Sequence, residues 1–148
     1  MYNLSTEGII KLDSTGLRVK VVNDFCGYYL WLINRHLFYT QRLATPAHGA
    51  HVSIVTIKIH KEKFTNNVSL LKEYHNTKVL LPYDNNIHIG GKGDFLHFSV
   101  WVHFPLGDMI KKECGIVENN FLGFHITIAS NKSELKQKMI NDKILLTY

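Results

Sequence analysis

Two short segments, far apart in the chain, combine a histidine and a hydroxyl residue in the same order. The first is His51-Val52-Ser53-Ile54-Val55 and the second is His125-Ile126-Thr127-Ile128-Ala129. In an extended strand alternate side chains lie on the same face, so each histidine shares a face with its hydroxyl residue. The apolar residues between them lie on the opposite face. An imidazole beside a hydroxyl, present twice, predicts a pair of half-sites for a phosphate group.

The composition is that of one soluble globular domain. The chain has 148 residues, of which 45% are hydrophobic, and a net charge of +5. The positive charge favours a phosphate-bearing or polyanionic partner, although the basic residues are scattered and form no block. Cys26 and Cys114 have neither disulfide-framework nor zinc-site spacing. The N-terminus does not resemble a signal peptide, and no apolar run is long enough to cross a bilayer, so we expect a cytoplasmic protein without a membrane partner.

The elements before the first histidine segment are a strand and a helix. Residues 17–22 alternate apolar and basic side chains, which predicts a half-buried strand. Asn23 or Asp24 can cap a helix that runs to about His36. Its predicted apolar, core-packing face consists of Phe25, Tyr28, Tyr29, Leu32 and Ile33. A loop with Pro46 and Gly49 then leads into the histidine strand, which the pattern extends as far as Ile59.

The second half repeats this order of elements. Val79-Leu80-Leu81 predicts a strand that ends near Pro82, and the glycines of residues 87–94 fit a hairpin turn better than a phosphate loop. Residues 95–104 predict a central strand, and Pro105 begins a short helix that ends before Gly115. The second histidine strand spans residues 121–129, and a further short helix is predicted from Ser133.

The paired H-x-[S/T] motifs resemble the two-histidine (2H) phosphoesterase superfamily. They lie 74 residues apart, at His51-Val52-Ser53 and His125-Ile126-Thr127, and each follows a strand, a helix and a loop. These units cover residues 17–53 and 95–127. Ser53 departs from the commonest pattern, which has threonine there; serine keeps the hydroxyl donor but lacks the methyl group that restricts its rotamer.

The resemblance implies an α+β fold in two lobes. These lobes are a pseudo-symmetric duplication of strand-helix-strand units, with antiparallel sheets on either side of a central cleft. The whole chain, residues 1–148, then forms one domain, with lobe one at about 10–65 and lobe two at about 78–148. The histidine strands of the two lobes meet in the cleft.

The resemblance also implies a metal-independent phosphodiesterase with no cofactor. His51 and His125 are then the catalytic acid and base, and Ser53 and Thr127 donate to the phosphate oxygens. Their titrations are coupled through the shared phosphate, so the sequence does not say which histidine is the base. The implied substrate is a nucleotide or RNA phosphodiester: a 2′,3′-cyclic phosphate, a 2′-5′ linkage or a cyclic oligonucleotide signal. A phage or other viral source would place the protein in the host cytoplasm.

Several alternatives remain open from sequence. The chain could be a nucleotide- or phosphate-binding module that uses the same cleft without turnover, or an interaction protein in which the motifs are coincidental. A metal site built from His48, His51 and another histidine is conceivable, but the H-E-x-x-H pattern is missing. Trp101 or Tyr39 could stack on a base, although core packing is the first expectation for Trp101. The oligomeric state is not predicted.

Overall fold

Seven β-strands and four α-helices make up the described part of the chain. The structure is a computed structural model, and it describes residues 2–21, 24–37, 43, 45–46, 49–92, 95–117 and 123–131. The strands are β1 (Leu4–Asp13), β2 (Gly16–Val21), β3 (His51–Thr56), β4 (Lys78–Tyr83), β5 (His88–Lys92), β6 (Phe95–Val102) and β7 (Phe124–Ser130). The helices are α1 (Phe25–Leu37), α2 (Ile57–Asn66), α3 (Val68–Tyr74) and α4 (Pro105–Glu113). Within these ranges, no helix has both the length and the apolar character needed to cross a membrane.

All strand pairs of the sheet are antiparallel, which confirms the predicted α+β class. The order is β3-β2-β1-β4-β6-β5, and β7 also pairs with β6. β4 pairs with β1 along its length but meets β6 only where Tyr83 lies opposite Val102. β4 therefore joins a group formed by β3, β2 and β1 to a group formed by β5, β6 and β7. The division into lobes at 10–65 and 78–148 stays a prediction.

The apolar faces of the strands pack under the helices. α1 contributes Phe25, Tyr29 and Ile33 to this core, as predicted. The prediction that Tyr28 lies on the same face is wrong, because 58% of its surface is exposed. Residues four apart in a helix form a narrow stripe, and the buried residue beside this stripe is Cys26 rather than Tyr28.

The predicted boundaries of the two main helices are confirmed by their local contacts. The Asp24 carboxylate accepts a hydrogen bond from the Gly27 N–H at 3.1 Å, so it satisfies one of the free donors at the start of α1. α4 begins with Pro105 in its first turn. After α4 the chain turns at Gly115, whose φ of 74° suits a residue without a Cβ.

The first histidine strand is shorter than the sequence pattern predicts. β3 ends at Thr56 and α2 begins at Ile57, so the predicted extension to Ile59 is wrong. Thr56 pairs with Gly16, the first residue of β2, and beyond it β3 has no partner on β2. The Ile57 N–H instead donates to the Thr15 carbonyl at 3.0 Å, and the chain turns into a helix.

The glycine-rich segment forms part of a hairpin, as predicted. β5 contains Gly90 and Gly91 and pairs with β6, with Lys92 opposite Phe95 at the turn end. The strand predicted before Pro82 is also present, but it passes through this proline to Tyr83. The helix predicted from Ser133 lies outside the described residues.

Candidate active site

His51 and Ser53 lie on the face of β3 that is opposite the core. Val52, between them, is fully buried, whereas His51 is half-buried and Ser53 is exposed. On the neighbouring strand β2, Lys20 lies opposite His51 and Arg18 lies opposite Ser53. Residues directly opposite each other in antiparallel strands share a face. The first motif therefore has two basic side chains as its cross-strand neighbours.

His125 and Thr127 have the corresponding position on β7. Ile126, between them, is fully buried, while His125 is exposed and Thr127 is half-buried. On β6, Trp101 lies opposite His125 and Ser99 lies opposite Thr127. The second motif therefore has an aromatic side chain and a hydroxyl as its neighbours, in place of the two cations of the first.

The two histidine strands contact each other. β3 packs against β7, and the helices cross over, with α1 on β7 and α4 on β3. Cys26 of α1 helps to hold this arrangement, since its thiol donates to the Thr127 carbonyl at 3.5 Å. Burial is the largest cause that lowers the pKa of His125, and electrostatic interaction with His51 is one of the lesser causes.

Each histidine ring is hydrogen-bonded to the backbone carbonyl two residues before it. Nδ1 of His51 lies 2.9 Å from the Gly49 oxygen, and His125 makes a backbone hydrogen bond to Gly123. A carbonyl only accepts, so Nδ1 of His51 carries the hydrogen and leaves Nε2 for proton transfer. Both glycines have positive φ angles, 70° for Gly49 and 54° for Gly123. These turns orient the carbonyls toward the rings.

A repeated glycine is a further signal in the sequence, which the H-x-[S/T] pattern alone does not include. Both motifs read G-x-H-x-[S/T], with Gly49 and Gly123 two residues before His51 and His125. Glycine is the residue that adopts positive φ at no steric cost. The two motifs therefore share a third matching position, the glycine. In both halves this glycine defines the orientation of the histidine ring.

The surroundings of His125 are electropositive. Desolvation by the packed protein is the largest cause that lowers the pKa of this imidazole, and the charges of His97, His51 and Lys111 lower it further. The hydrogen bond to Gly123 acts in the opposite direction but does not outweigh them. His125 is therefore neutral near pH 7. Lys111 adds a positive charge near it, which attracts an anion.

Trp101 is half-buried beside His125 and is not among the core residues, so the core-packing prediction for it is wrong. Its ring makes edge contacts with those of His125 and His88, at interplanar angles of 75° and 65° and centroid distances of 6.2 Å and 5.3 Å. β6 directs alternate residues to the core, and Val100 and Val102 already occupy that face. Trp101 consequently points to the open face, beside His125. Tyr39, the other stacking candidate, lies outside the described residues.

The described residues contain no group of three or more histidine, cysteine or acidic side chains placed to hold a metal ion. His48, part of the conceivable metal site, lies outside them.

Thiol chemistry at Cys26 is disfavoured, because burial raises the pKa of this thiol to about 11 and keeps it protonated. His75 has a structural role, since its Nδ1 accepts a hydrogen bond from the Leu12 N–H at 2.9 Å.

Comparison of the chain with protein-family models, with curated proteins and with solved structures finds no match. The interpretation of the site therefore depends on its residues and their geometry.

Proposed function

We propose that the protein is a metal-independent phosphodiesterase that acts on a nucleotide or RNA phosphodiester, as the two-histidine phosphoesterases do. The observation that carries the proposal is the contact between the two strands that carry the H-x-[S/T] motifs. β3 and β7 contact each other, and His51 acts electrostatically on His125. Each ring also makes the same kind of backbone hydrogen bond, His51 to Gly49 and His125 to Gly123. A pair of oriented imidazoles beside two hydroxyls is suited to acid–base transfer at a phosphate.

The element order supports a two-lobed, pseudo-symmetric arrangement. β2-α1-β3 and β6-α4-β7 each consist of two neighbouring antiparallel strands joined through a helix. The helices pack reciprocally, α1 against β7 and α4 against β3. In the proposed arrangement the phosphate lies between β3 and β7, with one motif on each side of it.

The lowered pKa of His125 suggests a division of roles between the two histidines. Neutral His125 removes a proton from the attacking hydroxyl, which is a water molecule or the 2′-hydroxyl of a ribose. The oxygen of that hydroxyl forms a bond to phosphorus, and the bond from phosphorus to the leaving oxygen breaks. His51, protonated, gives its proton to the leaving oxygen. Ser53 and Thr127 donate hydrogen bonds to the non-bridging oxygens, where negative charge increases in the transition state.

Trp101 and the neighbouring cations favour a nucleotide over a simple phosphodiester. The indole lies beside His125 on the site face, where it can stack on a base. Lys20 lies beside His51, where it can neutralise phosphate charge. The aromatic surface on one side matches the base of a nucleotide, and the ammonium group on the other matches its phosphate.

The substrate class can be tested with a panel of 2′,3′-cyclic nucleotides, 2′-5′ oligonucleotides and cyclic dinucleotides incubated in EDTA. We expect turnover of at least one class, at a rate that chelation does not change, because protein side chains supply both proton transfers. Product formation is followed by chromatography. Turnover that stops in EDTA would contradict the proposed mechanism. Tight binding of a nucleotide without turnover would support the alternative of a binding module.

The proposed roles predict an acid limb in the pH profile of kcat/KM. The base must be neutral, so activity is retained above the pKa of His125 and lost as the pH falls through it. Because that pKa is lowered from 6.5, the acid limb should lie below pH 6.5. Lys111→Gln removes a cation that lowers this pKa, so the limb should move to higher pH. A limb above 6.5 in the parent protein, or one that Lys111→Gln leaves in place, would contradict the assignment of His125 as the base.

A further inference from the structure

The open face of the first four strands carries a row of side chains that begins at His51. Lys20 of β2 lies opposite His51, Ile9 of β1 lies opposite Lys20, and Lys78 of β4 lies opposite Ile9. Neighbouring strands are about 4.8 Å apart, so Lys20 is roughly 5 Å from His51 along the sheet and Lys78 is roughly 14 Å from it. The row places two ammonium groups at increasing distance from the candidate catalytic histidine.

These two lysines differ from the basic residues of the next row. Arg18, opposite Ser53, is paired with Asp13 at 3.6 Å, and Lys11 donates to the Asn76 side-chain oxygen at 2.5 Å. Lys20 and Lys78 are exposed and make no hydrogen bond or ion pair to other described residues. Their charges are therefore available for a ligand, whereas those of Arg18 and Lys11 stabilise the fold.

The far end of the row opens into a half-open surface groove over the paired strands β1 and β4. It has a volume of about 480 Å³ and is lined by Glu7, Gly8, Ile9, Lys78, Val79 and Leu80. Leu80 is 61% exposed and, together with Ile9, presents an aliphatic surface on the open face. Glu7 lies opposite Leu80, so a carboxylate and an ammonium group lie beside that surface.

The chemistry of the groove matches a nucleobase. A planar ring can lie on the Ile9 and Leu80 side chains, while the Glu7 carboxylate accepts hydrogen bonds from an exocyclic amino group. Lys78 can donate to a ring acceptor or to a phosphate oxygen. Lys20, between the groove and His51, is placed for the phosphate that precedes this base.

We infer that the row from Lys20 to Lys78 binds a second nucleotide of the substrate, with Lys20 on a second phosphate and the Ile9–Leu80 groove under its base. The inference depends on the proposed function for the location of the first phosphate. It makes the substrate a linear or cyclic single-stranded oligonucleotide with at least two phosphates, rather than a mononucleoside cyclic phosphate. The attraction between two available cations and a polyanion supplies the affinity.

The experiment measures binding separately from catalysis. Titration calorimetry compares pApA, which has two phosphates, with AMP, which has one, in a His51→Ala/His125→Ala background that does not turn over substrate. Adding Lys20→Ala or Lys78→Ala is expected to raise the Kd for pApA roughly five- to tenfold. Lys78→Ala should leave the Kd for AMP unchanged, and Lys20→Ala should raise it by a smaller factor than the Kd for pApA, because Lys20 is also the cross-strand neighbour of His51. Lys20→Ala is also expected to reduce the slope of log affinity against log salt by about 0.7, the effect of one lost phosphate contact with a single strand.

Lys72→Ala provides the matched control, because Lys72 is an exposed lysine on α3, outside the row. It should leave both Kd values unchanged. Lys20→Gln and Lys78→Gln serve as second variants if alanine lowers stability. Equal pApA affinity in the parent and the row variants would overturn the inference, as would an equal loss of AMP and pApA binding in Lys20→Ala. If the row variants weaken pApA binding but the protein with both histidines hydrolyses nothing, the inference stands and the proposed function fails.

Discussion

Replacing His51 or His125 with alanine is expected to lower kcat by about 10²- to 10⁴-fold, the usual contribution of a positioned acid or base. The two side chains act on one phosphate, one accepting a proton and one donating it. The double variant should therefore be little slower than the worse single variant, because residues that act as a unit are not additive. The measurement is kcat and KM in EDTA at pH 7, with the substrate found in the panel.

His103→Ala is the matched control for these variants. His103 is another exposed histidine, one residue beyond β6, and its ring packs against Tyr2 with a centroid distance of 5.4 Å. It is outside both motifs, so kcat should remain within about twofold of the parent, since no proton transfer depends on it. A kcat within about threefold of the parent in His51→Ala or His125→Ala would rule out the two-histidine mechanism.

The parts of the site that the sequence could predict are the local ones. The side-chain period of a strand places His51 with Ser53, and His125 with Thr127, before any tertiary contact is known. Both pairs lie on the open face, with Val52 and Ile126 fully buried behind them. The predictions of β2, of α1 and of its Asp24 cap, which precede the first motif, are right for the same reason, since each depends on a few neighbouring residues.

The neighbours of the motifs could not be predicted, because strand register is a long-range property. Lys20 lies beside His51, and Trp101 beside His125, through the pairings of β2 with β3 and of β6 with β7. A one-residue slip in either pairing would change these partners. Alternation alone placed Trp101 in a strand, but it did not show which of its two faces packs in the core.

The segment after β3 shows how a local pattern can be misleading. Thr56-Ile57-Lys58-Ile59 alternates apolar and polar residues with β-branched side chains, which favours a strand. The segment nevertheless enters α2, a helix without a side-chain cap and with a non-helical residue, His60, at φ −124° and ψ 46°. The segment becomes helical because strand pairing ends where Thr56 lies opposite Gly16, and beyond Thr56 there is no partner on β2. Gly16 lies 40 residues earlier in the chain.

Removing the hydroxyl of Ser53 or Thr127 is expected to lower kcat by about 10²- to 10³-fold, with a much smaller change in KM. In the proposed mechanism each hydroxyl donates to an oxygen whose negative charge increases in the transition state, so the lost interaction affects the reaction more than binding. The variants are Ser53→Ala and Thr127→Val. Valine keeps the β-branched shape of threonine at this half-buried strand position, so the strand should be preserved.

The reciprocal exchanges, Ser53→Thr and Thr127→Ser, separate the hydroxyl from the rest of the side chain. Both keep the donor and change only a methyl group, so kcat should stay within about tenfold of the parent. Circular dichroism confirms that each variant is folded. If Thr127→Val is as active as Thr127→Ser, the hydroxyl does not act on the phosphate, and Thr127 is a strand residue only. A large loss in Ser53→Ala that Ser53→Thr does not share would instead show that the serine of the first motif works as a donor, like the threonine of the second.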